Sequence, residues 1–394
     1  METYKRLNRW LRIIQFSYLA AFASFLNYLT LYLNEVGFSE FKIGIINAAG
    51  AVVMLLLQPI LGRILDRTQN FRQVVGVVLA FCCAGVAATP FLGSLMWLQL
   101  LLVILLYAVV KQFLNVFDLW TYQLKAIDPR VEYGSTRGIG SVGEGLATFI
   151  VGYLIAWFGF GAMFICTVLL LATALYAGLQ LPNPPKAERS EEAEEAKAKV
   201  TWTKPLLSYL ASFLILKISV SAISSFSSLI VKNLGGGSEW FGITILLCGI
   251  AELPIFMMMG RWCQGDKTKA WYRICLLVSL VGGSLVVLAP NIPIFMVGRI
   301  AQTAAYAMYT VVNLEYVKNT VAAENQGQVI LMIGAFSSSI SYIVSSLLGG
   351  YILEMGTPGM MVAALILLIC ASFALHQGSL VGGRNACEVE HKAQ

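Results

Sequence analysis

The chain has 394 residues, 58% of them hydrophobic and only 12% charged, with a formal net charge of +6. A water-soluble domain carries roughly twice that charged fraction, so the composition excludes one and makes lipid the main solvent. The positive balance then bears on membrane topology before any nucleic-acid partner, and none of the latter is expected.

The N-terminal stretch METYKRLNRWLRIIQF is basic and then apolar, and the apolar part continues to about Asn34. That is too long for a signal-peptide core and predicts an uncleaved first span with its basic end in the cytosol. Twelve spans are predicted in all: 11–34, 42–65, 73–92, 96–123, 136–158, 160–181, 204–231, 239–262, 271–289, 292–318, 326–351 and 358–379. The fourth, fifth, seventh, eighth and tenth read as too short or too polar for a strict apolar window. They are expected to face something other than lipid.

Basic residues test the count. One set of connections holds Lys5, Arg6, Arg9 and Arg12, then Arg63, Arg67 and Arg72, then Lys125 and Arg130, then Arg261, Lys267, Lys269 and Arg273, then Lys318; the opposite set holds only Lys42 and Lys232. This asymmetry fits an even number of spans with both termini cytoplasmic, in an inner (cytoplasmic) membrane. The longest connection, LPNPPKAERSEEAEEAKAKVTWTKP, reads as a solvated linker. It divides the chain into an N-terminal six-helix bundle (1–181), a cytoplasmic linker (182–203), a C-terminal six-helix bundle (204–380) and a cytoplasmic tail (381–394).

The halves echo each other. SEFKIGIINAAG at 39–50 precedes a span ending in Gly62-Arg63, and SEWFGITILLCG at 238–249 precedes one ending in Gly260-Arg261, an offset of about 198 residues. Gly152-Tyr153 answers Gly350-Tyr351 at the same offset. Repeated six-helix halves are the sequence signature of a transporter with its site at the repeat interface. No G-x-x-x-x-G-K-[ST] occurs, so the chain carries no nucleotide motor of its own. Eight cysteines, none in a C-x-x-C, read as small hydrophobes. His376 and His391 have no partner cluster, so no metal or other cofactor is expected. No nucleophile–base constellation appears, so the chain is not read as an enzyme.

Charges inside the spans carry the functional signal. Arg137, Ser141 and Glu144 recur at i, i+4 and i+7 on the fifth span, and Lys111, Asn115 and Asp118 at the matching spacing on the fourth. In an antiparallel hairpin, residues at equal depth have numbers of constant sum. By that rule Asp118 meets Arg137, and Glu144 meets Lys111 about 10 Å deeper. Lys217 and Glu252 are placed at one depth by the same counting in the second half, and Arg299 has no acid in register. A charge at mid-bilayer costs at least about 2.5–3.5 kcal/mol and normally faces an interior or a wet path. Structural ion pairs would fix helix register, but buried pairs are poor stabilisers beside apolar packing. Substrate binding or ion coupling is therefore the preferred reading. Softer candidates are Tyr18, Asn27, Tyr28 and Tyr32 on the first span, Ser221, Ser224 and Ser228 on the seventh, and Gln302, Tyr306, Tyr309 and Asn313 on the tenth. Gly138, Gly140, Gly143 and Gly145, with Gly349-Gly350, are read as sites of close helix approach.

GRILDRTQNFR after the second span resembles the signature of the major facilitator superfamily, with Gly62, Asp66 and Arg67 matching and Gln69 replacing the second glycine. GRWCQGDK is a more degraded copy. SEFKIGIINAAGAVVMLLLQPILGRILDR resembles the matching stretch of the lactose permease and oligosaccharide:proton symporter branch. YGSTRGIGSVG resembles the start of the fifth span in that branch and in nucleoside and aromatic-acid symporters. The resemblance implies that Arg137 contacts substrate, that Glu252 lines the cavity, and that Gly62, Asp66 and Arg67 form a gating loop. The histidine–glutamate coupling pair of the lactose permease is not carried over, because the tenth span reads AQTAAYAMYTVVNLEY.

These readings imply an all-α membrane protein of two pseudo-symmetric six-helix bundles around one cavity. The expected function is secondary transport of a small polar organic solute by alternating access, as proton-coupled symport, with a sugar or oligosaccharide as first choice. Binding is assigned to Arg137, Asp118, Glu144, Lys111, Asn115, Glu252, Lys217, Asn27, Tyr28 and Tyr306. Asp118, Glu144 and Glu252 are the proton-coupling candidates. The expected partners are the solute, protons and the lipid bilayer, with a functional monomer. The alternatives are a drug or metabolite/proton antiporter and a nucleoside or organic-acid symporter. From another class, the alternative is a non-transporting membrane receptor or scaffold.

Overall fold

A computed structural model describes residues 2–68, 70–93, 95–124, 127, 128, 131, 133–184, 203–263, 267–321 and 323–393. Within these, the side chains of 2–4, 66–68, 122, 133–135, 260, 323–325, 327, 328, 330–336 and 378–393 are not described. Most of the predicted linker therefore lies outside the described residues. So do the side chains of Asp66, Arg67 and His391.

Twelve α-helices and no strand are found among the described residues: α1 (Glu2–Glu35), α2 (Glu40–Thr68), α3 (Phe71–Ala88), α4 (Met96–Gln123), α5 (Tyr133–Phe158), α6 (Gly161–Gln180), α7 (Lys204–Asn233), α8 (Ser238–Trp262), α9 (Thr268–Val287), α10 (Ile292–Thr320), α11 (Ala323–Met355) and α12 (Pro358–Ala393). Ten are long and apolar enough to cross a membrane, and α10 and α11 fall outside that set. The expectation that the fourth, fifth, seventh and eighth spans would be too polar is corrected. Their charges are few and set apart, so each helix keeps a sufficient apolar window.

The helix ends follow local chemistry. Asn70 caps α3 by accepting from the Gln73 N–H at 3.1 Å, and Asn291 caps α10 by accepting from the Ile294 N–H at 3.1 Å. Gly37 (φ 103°) and Gly235 (φ 81°) end α1 and α7 in the left-handed region. The closing bonds match one for one. Val36 N–H reaches Tyr32 O, Gly37 reaches Asn34 O and Phe38 reaches Leu33 O; Leu234 reaches Ile230 O, Gly235 reaches Lys232 O and Gly236 reaches Val231 O. Every member of the second set lies 198 residues after its counterpart. The repeat seen in the sequence is thus written into the backbone of two equivalent turns.

The chain forms two compact units: residues 1–188 together with 227–249, and residues 189–226 together with 250–394. In the first, α1 packs on α5 and α6, α3 on α6, and α2 on α4. In the second, α9 packs on α10 and α12, repeating the α3–α4 and α3–α6 contacts six helices later. The α7–α8 tip belongs to the first unit, where the Ser238 hydroxyl donates to Gly152 O at 2.7 Å and Lys232 pairs with Glu35 at 3.2 Å. Helix α5 lies close on α1 because two glycines face it. A Cβ on Gly143 would meet Phe16 O at 2.7 Å, and one on Gly140 would run into Leu19 Cδ1. The other sequence-flagged glycines of α5 differ: Gly138 has nothing within 4 Å, and Gly145 only an ordinary contact to Leu246 at 3.5 Å.

Candidate functional site

The first unit holds a three-member charge cluster. Arg137 on α5 places Nε 3.7 Å from Asp118 Oδ1 on α4, with the two side chains 30% and 27% exposed. Gln15 of α1 donates to the same Asp118 oxygen at 3.4 Å. Arg137 also acts electrostatically on the Glu144 carboxylate, two turns further along α5. The ion pair of this guanidinium is with Asp118, and Glu144 lies two turns along the same helix. Its Nη1 is buried and has no hydrogen-bond partner, so the cation retains donor capacity.

The expected Glu144–Lys111 rung is corrected. Lys111 donates to the Tyr107 hydroxyl at 2.7 Å and sits 4.4 Å from the centre of its ring, one turn back on its own helix. Equal sums fix height but leave azimuth free, and Lys111 finds an acceptor and an aromatic face without leaving α4. Asn115, between Lys111 and Asp118 on α4, is exposed.

In the second unit Lys217 of α7 donates to Ser338 Oγ of α11 at 2.6 Å. Among the described residues no carboxylate lies within 4 Å of it, which corrects the expected Lys217–Glu252 pair. Glu252 sits half-buried on α8, two residues before Pro254. Arg299 of α10 is 5% exposed; its Nη1 donates to Gln302 Oε1 at 2.8 Å and its Nη2 to Ser224 Oγ at 3.3 Å. Lys217 also borders a narrow cleft with Leu216, Val220, Cys275, Ala305, Tyr306 and Tyr309. Phe213 stacks on Tyr309 with centroids 3.8 Å apart, holding one wall in place.

The softer candidates divide. Tyr306 is 40% exposed and lines the cleft. Asn27 donates to Thr148 Oγ1 at 2.9 Å. Tyr28 is fully buried, with its hydroxyl committed to Thr148 O, and Tyr18 likewise to Val110 O. Both of these tyrosines hold helices together. Gly62 is exposed on α2. Sequence reasoning missed Gln15, Tyr107 and Ser338. A polar triplet at 337–339 inside an apolar helix was the available signal for Ser338.

The MFS_1-like family profile matches residues 8–373. The chain belongs to that family. It is a major facilitator transporter and not an enzyme. It is 24% identical to the maltose permease of Geobacillus stearothermophilus over 348 residues, covering 85% of this chain and 84% of the permease. It is 21% identical to a probable 3-phenylpropionic acid transporter of Escherichia coli over 345 residues, covering 84% and 86%. Its fold matches the crystal structure of the nucleoside transporter NupG with a TM-score of 0.74 at 14% identity, covering 95% and 98%. The family explains why charges sit in helices that otherwise suit lipid: transporters of this kind bind small molecules within the membrane.

Proposed function

We propose that this transporter moves a small polar organic solute across the cytoplasmic membrane by alternating access, coupled to protons in symport. A sugar or oligosaccharide is the first solute class, on the branch resemblance and on the relative named maltose permease. The observation that carries the coupling is the Asp118–Arg137 ion pair at 3.7 Å between the membrane-crossing helices α4 and α5, with Glu144 two turns along α5. A solute that engages Arg137 draws its charge away from the Asp118 carboxylate. A proton taken up by that carboxylate restores the balance, so solute occupancy and proton occupancy are linked. Glu252 supplies a third acid in the second unit. Asp66 and Arg67 serve a cytoplasmic gate and do not touch solute.

Proteoliposomes test this reading. With an inward proton gradient and no other ion gradient, uptake of a solute from a panel of sugars, nucleosides and aromatic acids is expected to rise, and Arg137→Ala is expected to abolish it. Uptake indifferent to the proton gradient removes symport. Full uptake by Arg137→Ala removes the cluster from the site.

A further inference from the structure

Helix α1 carries a basic stripe on its outer side. Lys5, Arg9 and Arg12 recur at i, i+4 and i+7 with Arg6 beside them, and all four are exposed, while Leu7, Asn8 and Leu11 are buried. Among the described residues no carboxylate lies within 4 Å of Lys5, Arg6 or Arg9. The Arg9 guanidinium sits 5.8 Å from the centre of the Trp10 ring, and Trp10 meets Tyr176 of α6 edge-on with centroids 5.7 Å apart. From the exposed ring of Tyr176 an apolar stripe of exposed Leu169 and Ile165 runs down the same face of α6. The depth of this corner follows from length. Helix α1 has 34 residues, about 51 Å at 1.5 Å per residue, against a hydrocarbon core of about 30 Å. Counting about 20 residues back from Glu35, which pairs with Lys232 at the far end, leaves the hydrocarbon near Gln15. The basic stripe therefore lies at headgroup level, and the Trp10–Tyr176 pair marks the boundary.

The internal repeat shows what the fold itself requires at this place. At the 198-residue offset Arg6 corresponds to Lys204, but Lys5, Arg9 and Arg12 correspond to Thr203, Leu207 and Leu210. Trp10 and Tyr176 correspond to Ser208 and Ala374. The second half is thus built with one cation there, so the further charges and the aromatic pair are no demand of the architecture. We propose that the α1–α6 corner binds an anionic phospholipid of the leaflet on the N-terminal side. Lys5 and Arg9 are one turn apart, with Cβ atoms about 5–6 Å from each other, so both reach a single phosphodiester. Trp10 and Tyr176 pack on the glycerol backbone, and an acyl chain lies along Leu169 and Ile165. The ring pair and the apolar stripe favour a lipid over a free phosphate, which has nothing to place on them. The inference concerns the membrane partner and stands apart from the identity of the solute.

Thermal unfolding of the purified full chain in a neutral detergent tests this. Dioleoylphosphatidylglycerol at micromolar concentration is expected to raise the midpoint by several degrees, and dioleoylphosphatidylcholine, with the same chains, is not. The double variant Lys5→Gln/Arg9→Gln is expected to lose most of that shift, and Lys5→Arg/Arg9→Lys to keep it. Lys267→Gln/Lys269→Gln removes two exposed charges at the start of α9 instead, and is expected to keep it too. Arg9→Gln alone is expected to lose about half of the shift, which keeps the test decisive if the double variant does not fold. The inference is overturned by equal shifts from the two lipids in the wild-type protein, or by a full shift in Lys5→Gln/Arg9→Gln or Arg9→Gln. Equal losses in the two double glutamine variants overturn it as well, because they would mean a diffuse attraction to every cation. So does an equal shift from glycerol 3-phosphate, which would make the ligand a water-soluble anion.

Discussion

The two units handle charge in the membrane by different means. In the first, Arg137 is matched by Asp118 at 3.7 Å, so the cation has a counter-charge within the unit. In the second, Lys217 rests on the hydroxyl of Ser338, and Arg299 donates to the neutral groups of Gln302 and Ser224. Ion pairing stabilises a charge that the protein must hold in every state. A neutral hydrogen bond such as that from Lys217 to Ser338 satisfies a donor without adding a counter-charge. The difference is one of charge neutralisation: an ion pair in the first unit, hydroxyl and amide acceptors in the second.

The largest expected effect separates the units by sign. Arg137→Met takes the guanidinium from Asp118, and breaking a buried pair in this way costs about 3–5 kcal/mol. With side chains about 30% exposed, solvent screens part of that, so a loss of about 2 kcal/mol is expected, together with loss of proton-driven uptake. Lys217→Met removes a charge that has no carboxylate within 4 Å among the described residues. Its membrane cost of about 2.5–3.5 kcal/mol is recovered in part, less about 1 kcal/mol for the bond to Ser338. The unliganded protein is therefore expected to unfold at a higher temperature. Thermal unfolding of the two variants in one detergent decides the matter: a fall for both would mean that Lys217 is structurally paired after all. A smaller effect sharpens the first unit alone. Tyr107→Phe removes the acceptor that holds Lys111 and is expected to lower stability by about 1–2 kcal/mol. The change removes the hydrogen bond but keeps the ring under the Lys111 ammonium. A Tyr107→Phe protein whose uptake moves to a different proton dependence would show that the rung missing from the structure is accessible.

Much of this was legible in the sequence because it depends on heights and repeats. Span number, the 198-residue offset and the depth of Asp118 against Arg137 all follow from counting along helices. Azimuth does not. Lys111 turned to Tyr107 and Lys217 to Ser338 because each found a nearer acceptor than the acid at its own level. Tyr28 read as a lining residue because a tyrosine beside an asparagine suits a polar path. Its hydroxyl instead bridges toward Thr148 and Ser238, a contact that requires knowing where the α7–α8 tip packs. Ser338 was hidden for another reason: small residues in membrane helices usually signal close packing, and a hydroxyl that accepts from a lysine uses the same letter.

The smallest effect concerns the seam that positions the first cluster. Helix α1 contributes Gln15, whose side chain donates to Asp118, and whose carbonyl oxygen would lie 3.2 Å from a Cβ on Gly140. Gly140→Ala meets chiefly the Cδ1 of Leu19, the far end of a flexible side chain, which can rotate away. The gain in helix propensity of about 1 kcal/mol offsets the crowding, so stability is expected to change little. Gly143→Ala meets the Phe16 carbonyl oxygen at 2.7 Å, and backbone cannot rotate away. Overpacking of this kind costs about 1–3 kcal/mol, and the same propensity gain leaves a net loss of about 1 kcal/mol. The displacement also tilts α5, which carries Arg137 two turns before Gly143. Uptake is therefore expected to fall several-fold in Gly143→Ala and to stay near wild type in Gly140→Ala. Equal losses from the two would mean that α1 and α5 yield together, and that the Gln15–Asp118–Arg137 alignment does not depend on the local closeness of the seam.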